Sequence, residues 1–222
     1  MPWTDAGFKI GIREELTLKR STIKRMFAGY KTAMSRHEQP LAVRAHPVVL
    51  GTVIFIASET MFFSALFATY YNLKARSADW PPPYVHLDLL GPTFGTAFLV
   101  FSSLTMFPML RALSQRRMKA AYGWLYAAIV GGLAYIGDAM HGYSAQEFNM
   151  HTSAYGSIYL TITGFHLLHV VVGVLMLIGL YFGLRSPAFH ADKHGGAEAV
   201  SYYWHFVTVM WFGIYSTVYW IR

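Results

Sequence analysis

GSIYLTITGFHLLHVVVGVLMLIGLYF, residues 156–182, is the stretch of the chain that decides the fold. It contains no Asp, Glu, Lys or Arg, and as a helix it is long enough to cross the roughly 30 Å of bilayer hydrocarbon at about 1.5 Å per residue. Four more apolar runs of similar length occupy residues 48–70, 89–110, 121–142 and 200–221. None shows the period-two alternation of a membrane β-strand. We therefore predict an all-α, polytopic bundle of five transmembrane helices.

The composition of the whole chain also fits a membrane protein. Of its 222 residues, 55% are hydrophobic and 13% are charged, whereas soluble domains are about a quarter charged. The absence of Cys excludes disulfides, thiolate metal sites and Cys nucleophiles. The net charge of +7 does not indicate nucleic acid, because nine of the eighteen Lys and Arg residues lie in the first 45 positions. Such a basic segment beside a membrane span favours contact with anionic lipid. We predict two regions, a basic N-terminal segment (1–45) and a membrane domain (46–222).

The distribution of Lys and Arg predicts the orientation in the membrane. With the N-terminus in the cytoplasm, fifteen of these residues would lie on the cytoplasmic side and three outside, namely Lys74, Arg76 and Arg222. We expect a cytoplasmic N-terminus and an external C-terminus. Over residues 14–36, apolar side chains recur at three- and four-residue steps. This spacing predicts an amphipathic helix at the membrane surface, with a solvated tail as the alternative.

Glu59 lies near the middle of the first predicted span, among Phe55, Ile56, Phe62 and Phe63. An ionised acid at that depth is costly if it faces lipid. Glu59 is therefore expected to be protonated, paired or turned toward a polar groove. The functional interpretation is proton handling, and the alternative is an interhelical hydrogen bond that specifies packing.

His166 and His169 are three residues apart, so both project from one face of the fourth predicted helix. This spacing invites a metal or haem interpretation, but the other span histidines, His141 and His205, each lie near a span end. A stable metal site needs three or four ligands. We therefore expect no metal on this chain and predict packing and hydrogen-bonding roles for these residues.

Two further pairs follow helical spacing. Asp138 and His141 are placed to pair with each other at the end of the third span, with a water-exposed helix end as the alternative. Gly179 and Gly183 form a small-xxx-small pair that predicts close helix packing.

Basic residues cluster in the predicted cytoplasmic connection between the last two spans. Arg185, Lys193 and His194 lie at the helix ends, with Glu198 close by in the sequence. Their placement predicts a site for a lipid phosphate, held by charge-assisted hydrogen bonds near the interface. The alternative is that these charges act only as topology signals.

Six short motifs follow one another along the chain. They are SETMFF at 58–63, WPP at 80–82, AYGS at 154–157, TGFHLLHV at 163–170, YYWHFV at 202–207 and YW at 219–220. Together they resemble the third subunit of cytochrome c oxidases over roughly residues 46–222. Longer members of that family have seven helices, and this chain resembles the five-helix bacterial form that lacks the first two.

The resemblance implies a non-catalytic subunit of a proton-pumping haem–copper terminal oxidase in the bacterial plasma membrane. This chain would bind no haem or copper, which would lie in subunit I, with copper also in subunit II if cytochrome c is the electron donor. It would contact subunits I and II and phospholipids, support proton uptake, and join a supercomplex with a cytochrome c or bc-type complex, with no nucleic acid involved.

The resemblance also implies roles for single residues. Glu59 falls on the family's membrane glutamate. The cluster predicted to bind lipid falls on or near positions that the family uses around lipid headgroups, namely Arg185, Lys193, His194 and Glu198. Structural or subunit-contact roles are expected for four further residues of the motifs, namely His166, His169, Trp204 and His205.

The chain departs from the family pattern at several positions. Thr208 stands where the family usually has an acid, and Leu167 replaces a Gly. Where the family has Gln-x-x-Glu-Tyr, this chain has Asp138, His141 and Gly142. Two alternatives with the same fold are subunit III of a quinol oxidase or of a nitric-oxide-reductase-associated complex. An assembly factor and an independent transporter are further alternatives, although transporters usually show internal repeats and broken helices, and neither is visible in this sequence.

Overall fold

The computed structural model of the chain describes residues 23–29, 47–83, 85, 89–146, 148–185 and 193–221. The chain divides into two units, Met1–Ala45 and His46–Arg222. In the first unit, residues 23–29 form a short exposed helix, α1. The rest of the surface helix predicted over residues 14–36 lies outside the described residues.

In the second unit, every secondary-structure element of the described residues is a helix, and none is a strand. Its helices are α2 (Pro47–Arg76), α3 (Leu90–Leu104), α4 (Met106–Ser114), α5 (Met118–Ser144), α6 (Ala154–Gly183) and α7 (Lys193–Tyr215). A single π-helical turn, Ser216–Trp220, follows α7 directly. The all-α prediction is confirmed for the described part of the chain.

Within the described residues, four helical segments are long and apolar enough to cross a membrane: α2, the run Leu90–Ser114, α5 and α6. They coincide with the first four predicted spans. The fifth predicted span, residues 200–221, falls in α7 and the π-helical turn, and α7 is not among the four. The number of five spans and the orientation of the termini therefore remain predictions.

Pro108 accounts for the break between α3 and α4. A proline has no N–H to donate to the carbonyl four residues earlier, here that of Leu104, and its ring crowds that carbonyl. Thr105 separates the two helices with a nearly helical backbone (φ −66°, ψ −17°). Its hydroxyl donates to the Ser102 carbonyl at 2.7 Å. Because the backbone of Thr105 stays in the right-handed helical region, the break is confined to this single residue.

The turn between α4 and α5 is closed by two backbone hydrogen bonds. Arg116 N–H donates to the Leu113 carbonyl at 3.0 Å, and Arg117 N–H donates to the Ala112 carbonyl at 2.9 Å. This is a Schellman arrangement, which needs a left-handed residue after the helix. Arg116 takes that conformation, with φ 57°. The chain thus reverses within a few residues and brings α4 against α5.

The helices pack in sequence, with α3 and α4 against α5, α5 against α6 and α6 against α7. α2 packs mainly on α6 and α7. Only 6% of its most apolar window is buried inside the chain, against 33–39% for the other three spanning segments. α2 therefore lies at the edge of the bundle, with most of its surface directed away from the rest of the chain.

Trp204 occupies the place where α3, α5, α6 and α7 meet. Its side chain is fully buried, and its indole N–H donates to the Ser102 hydroxyl at 3.0 Å. Ser102 in turn donates to the Ala128 carbonyl at 2.6 Å. A Cβ at Gly132 would lie 2.9 Å from the indole, and one at Gly173 would lie 2.6 Å from it. Glycine is required on both flanking helices because the ring fills the space that any side chain would need.

Candidate functional site

Glu59 of α2 and His169 of α6 form a pair between two helices. The Oε2 atom of Glu59 lies 2.9 Å from Nε2 of His169, and their side chains are only 21% and 13% exposed. The other ring nitrogen of His169, Nδ1, lies 2.7 Å from the Phe165 carbonyl oxygen. The sequence predicted that Glu59 would be protonated, paired or in a polar groove, and the structure places it in a pair.

The two contacts of His169 fix the number of protons in the pair. A carbonyl oxygen can only accept, so Nδ1 carries a hydrogen, and in a neutral ring Nε2 is then an acceptor. The contact with Glu59 therefore requires one more proton. Either Glu59 is a neutral carboxylic acid that donates to Nε2, or an imidazolium donates to a carboxylate. Both states have zero net charge, which is the least costly condition for an acid inside a bilayer.

Aromatic side chains lie next to His169. The Phe63 ring lies 5.1 Å from the His169 ring, and Phe62 lies 5.0 Å from Phe165, both edge to face. The Tyr203 hydroxyl donates to the His169 backbone carbonyl at 3.2 Å. Apolar neighbours of this kind lower the local dielectric and so strengthen the electrostatic interaction beside them.

His166 is in different surroundings from His169, although the two are one helical turn apart. It is fully buried, stacked on Trp211 at 5.0 Å and in edge contact with Tyr135 at 5.9 Å. Neither of its ring nitrogens has a hydrogen-bond partner among the described residues. Within the described part of the chain, no group of three or more His, Asp or Glu side chains is arranged to hold a metal ion.

His205 connects α7 to the break between α3 and α4. Its Nδ1 lies 2.6 Å from the Ser103 hydroxyl, and its ring stacks on Phe107 at 4.7 Å. Thr208, one turn further on, is buried and donates to the Trp204 carbonyl at 3.0 Å. A threonine at this position satisfies its own hydroxyl within the helix, so it does not need the partner that a buried acid would require.

Arg185 is held by two tyrosines at the C-terminal end of α6. A guanidinium N–H donates to the Tyr181 hydroxyl at 2.6 Å, and the guanidinium carbon lies 4.5 Å from the Tyr181 ring centroid and 5.7 Å from that of Tyr122. These contacts orient a planar group with five N–H donors, a geometry suited to phosphate oxygens.

The other members of the predicted lipid cluster are only partly described. Glu198 is exposed on α7. α7 begins at Lys193, but the side chains of Lys193 and His194 lie outside the described part of the structure. Whether the cluster converges on one phosphate therefore remains a prediction.

A cavity of about 310 Å³ lies between α3, α5, α6 and α7. Asp138 and His141 both line it, so the two residues that were predicted to pair do lie at one site, and their direct pairing remains a prediction. Sequence analysis missed three further polar groups of this cavity. Gln146 donates to the Tyr159 hydroxyl at 2.9 Å, and that hydroxyl lies 2.9 Å from the hydroxyl of Tyr219.

A family model and individual known proteins all match this chain to the same family. The sequence model of a family described as cytochrome c oxidase subunit III matches residues 23–222. Cytochrome c oxidase subunit 3 of Thermostichus vulcanus is 30% identical over 77% of this chain and 86% of its own length. A protein of Nocardia farcinica named probable cytochrome c oxidase subunit 3 is 34% identical. The cytochrome c oxidase subunit 3 of Corynebacterium diphtheriae is 32% identical. Each match covers 81% of this chain and 90% of the relative.

Proposed function

The chain belongs to the cytochrome c oxidase subunit III family, and from this premise we propose that it is the non-catalytic subunit III of a proton-pumping haem–copper terminal oxidase. Membership places it in a multi-subunit oxidase complex of the respiratory chain. The finer proposal is that it stabilises subunit I, contacts subunit II, binds phospholipid and supports proton uptake. In this proposal haem and copper are bound by the partner subunits, in the bacterial plasma membrane.

The observation that carries the proton role is the pair of Glu59 and His169. It holds one exchangeable proton between two groups 2.9 Å apart, near the middle of a span that is little buried in its own chain. Loss or gain of that proton would leave a net charge in an apolar setting, and such a charge is strongly unfavourable. The pair would therefore exchange protons with a neighbouring group in the complex rather than with lipid.

The lipid role is supported by Arg185. A cation at the predicted cytoplasmic end of α6, oriented by Tyr181 and Tyr122, can bind an anionic headgroup without first ordering its own side chain. Arginine pairs with phosphate through two parallel N–H groups, which adds geometric specificity to the charge attraction.

A single substitution separates proton handling from packing at the pair. Glu59→Gln keeps the size of the side chain, and its amide N–H can donate to the bare Nε2 of His169, so the interhelical hydrogen bond persists while the exchangeable proton is lost. We expect the purified complex to assemble with its normal haem content and to turn over more slowly, or to lose activity over repeated cycles. Ser58→Ala, which removes a neighbouring hydroxyl bonded to the Phe55 carbonyl of its own helix, is the control.

Two results would contradict the proposal at different levels. Normal kinetics in a fully assembled Glu59→Gln complex would show that the pair is a packing hydrogen bond. For membership itself, the test is purification of the tagged chain from native membranes in mild detergent, with a reduced-minus-oxidised spectrum. We expect haem and a large catalytic subunit in equal amounts, and a colourless chain eluting alone would favour an assembly factor or transporter.

A further inference from the structure

The cavity between α3, α5, α6 and α7 runs from the surface of the bundle to its interior. At one end it is lined by His141, Gly142 and Ala145, which are exposed. At the other end it is lined by Tyr135 and other buried side chains. The lining residues of α5 extend from Tyr135 to Tyr143, or roughly 12 Å along the helix axis. The cavity therefore reaches about a third of the way along α5 from its C-terminal end.

The floor of the cavity is built from Tyr135, Thr163 and Trp211. All three are at most 5% exposed. The rings of Tyr135 and Trp211 are the same rings that contact His166, so the imidazole lies directly behind this floor. Its two nitrogens have no hydrogen-bond partner among the described residues.

The polar groups of the walls point to the occupant. The carboxylate of Asp138 and the hydroxyls of Tyr159 and Tyr219 belong to lining residues. The side-chain oxygen of Gln146, also a lining residue, is buried without a hydrogen-bond partner among the described residues. A hydrocarbon chain could not satisfy the amide oxygen of Gln146, and burying that oxygen against it would be unfavourable.

Water satisfies all of these conditions. A polar cavity holds water when it has room and offers each molecule two or more polar partners, and about 310 Å³ accommodates on the order of ten molecules. We propose that the cavity is a water-filled inlet, open at the end of the bundle where α5 ends and α6 begins, that carries solvent down to the floor in front of His166. The inlet is separate from the Glu59–His169 pair and does not depend on the proposed respiratory function.

The chain is well suited to a direct test, because it contains no Cys. Single cysteines are introduced at three places and exposed in native membranes to a charged trimethylammonium methanethiosulfonate, which reacts with hydrated thiolates. Gly142→Cys lies at the mouth, where an added Cβ meets nothing within 4 Å. Thr163→Cys lies at the floor. Leu133→Cys, on an exposed apolar position of α5, is the control at similar depth outside the cavity. The readout is the mass of the isolated chain, which is independent of oxidase activity.

We expect the mouth and floor cysteines to react at rates within about tenfold of each other, and the Leu133→Cys control at least a hundredfold more slowly. The reagent is expected to act from the side on which residues 145–153 lie, which the sequence predicts to be external. The proposal is overturned if the floor cysteine reacts as slowly as the control while the mouth reacts, or if it reacts only from the opposite side. Should Thr163→Cys not accumulate, Ala139→Cys, on the wall of the same cavity, decides the question by the same comparison.

Discussion

Replacing Gly173 by alanine tests the central packing of the bundle. The new Cβ would lie 2.6 Å from two carbon atoms of the Trp204 ring and 3.3 Å from the ring of Tyr203. Carbon atoms in favourable contact are about 3.5–4.0 Å apart, so the overlap with the indole is roughly 1 Å. The ring cannot retreat freely, because Gly132 on the other helix is also within contact distance and Ser102 holds the indole N–H.

The cost follows from the two ways of relieving that overlap. Separation of α6 from α7 would resemble other cases of overpacking in a filled core, which cost about 1–3 kcal/mol. Displacement of the indole would instead break its hydrogen bond to buried Ser102 and leave a buried polar group unsatisfied, at about 1–3 kcal/mol. Whichever way is taken, we expect a destabilisation of about 1–3 kcal/mol. In the detergent-solubilised complex, it would appear as loss of this subunit at a clearly lower temperature than in the wild type.

The same helix provides a matched control. A Cβ added at Gly179 meets nothing within 4 Å, so Gly179→Ala should be neutral or stabilise by up to about 1 kcal/mol through its better helix propensity. Combining Gly173→Ala with Trp204→Phe should cost less than the sum of the two changes, because the smaller ring removes the overlap. A Gly173→Ala subunit as heat-stable as the wild type would refute the reasoning, as would strictly additive costs in the double variant.

Two further predictions concern the turn and the lipid site. Arg116→Gly should stabilise the chain by about 1 kcal/mol, because Arg116 has a left-handed backbone (φ 57°) that costs roughly that much for a residue with a Cβ. The measurement is the thermal stability of the subunit, and the control Arg117→Gly, at a position with ordinary φ, should give no gain. Replacing both Arg185 and Lys193 by Gln should weaken the binding of an anionic lipid, seen as lower lipid retention in native mass spectrometry. Replacing both Arg111 and Arg117 by Gln should leave lipid retention unchanged. Equal retention in the two variants would mean that Arg185 and Lys193 act only as topology signals.

The helical architecture could be predicted because long apolar runs have few alternatives in a bilayer. Glu59 could be predicted as a special residue for the same reason, since a lone acid in such a run must be neutralised. Its partner could not be predicted. His169 lies 110 residues further along the chain, and no local pattern in either helix specifies that the two meet.

Packing at glycines shows the same limit. The pair at Gly179 and Gly183 follows the small-xxx-small spacing, yet among the described residues nothing lies within 4 Å of a Cβ added at Gly179. The close approaches occur at Gly132 and Gly173, where both helices make room for Trp204. Spacing along one helix cannot show this, because the need for glycine is created by a large side chain on another helix. The contact between Arg185 and Tyr181 is easier to predict from the sequence, since Tyr181 lies four residues before Arg185.

The position of α2 at the edge of the bundle has a consequence for biosynthesis. α2 leaves the ribosome well before the helices on which it packs, α6 and α7. At about 5–20 residues per second, the ribosome needs roughly 5–20 s after Glu59 to reach His169, 110 residues later. During that interval His169 is not yet available to Glu59, and an unpaired acid is least costly in the membrane as a neutral group. α2 is thus inserted before it can dock on its partner helices, and the emergence of α6 is the moment at which the proton of Glu59 can first be shared with His169.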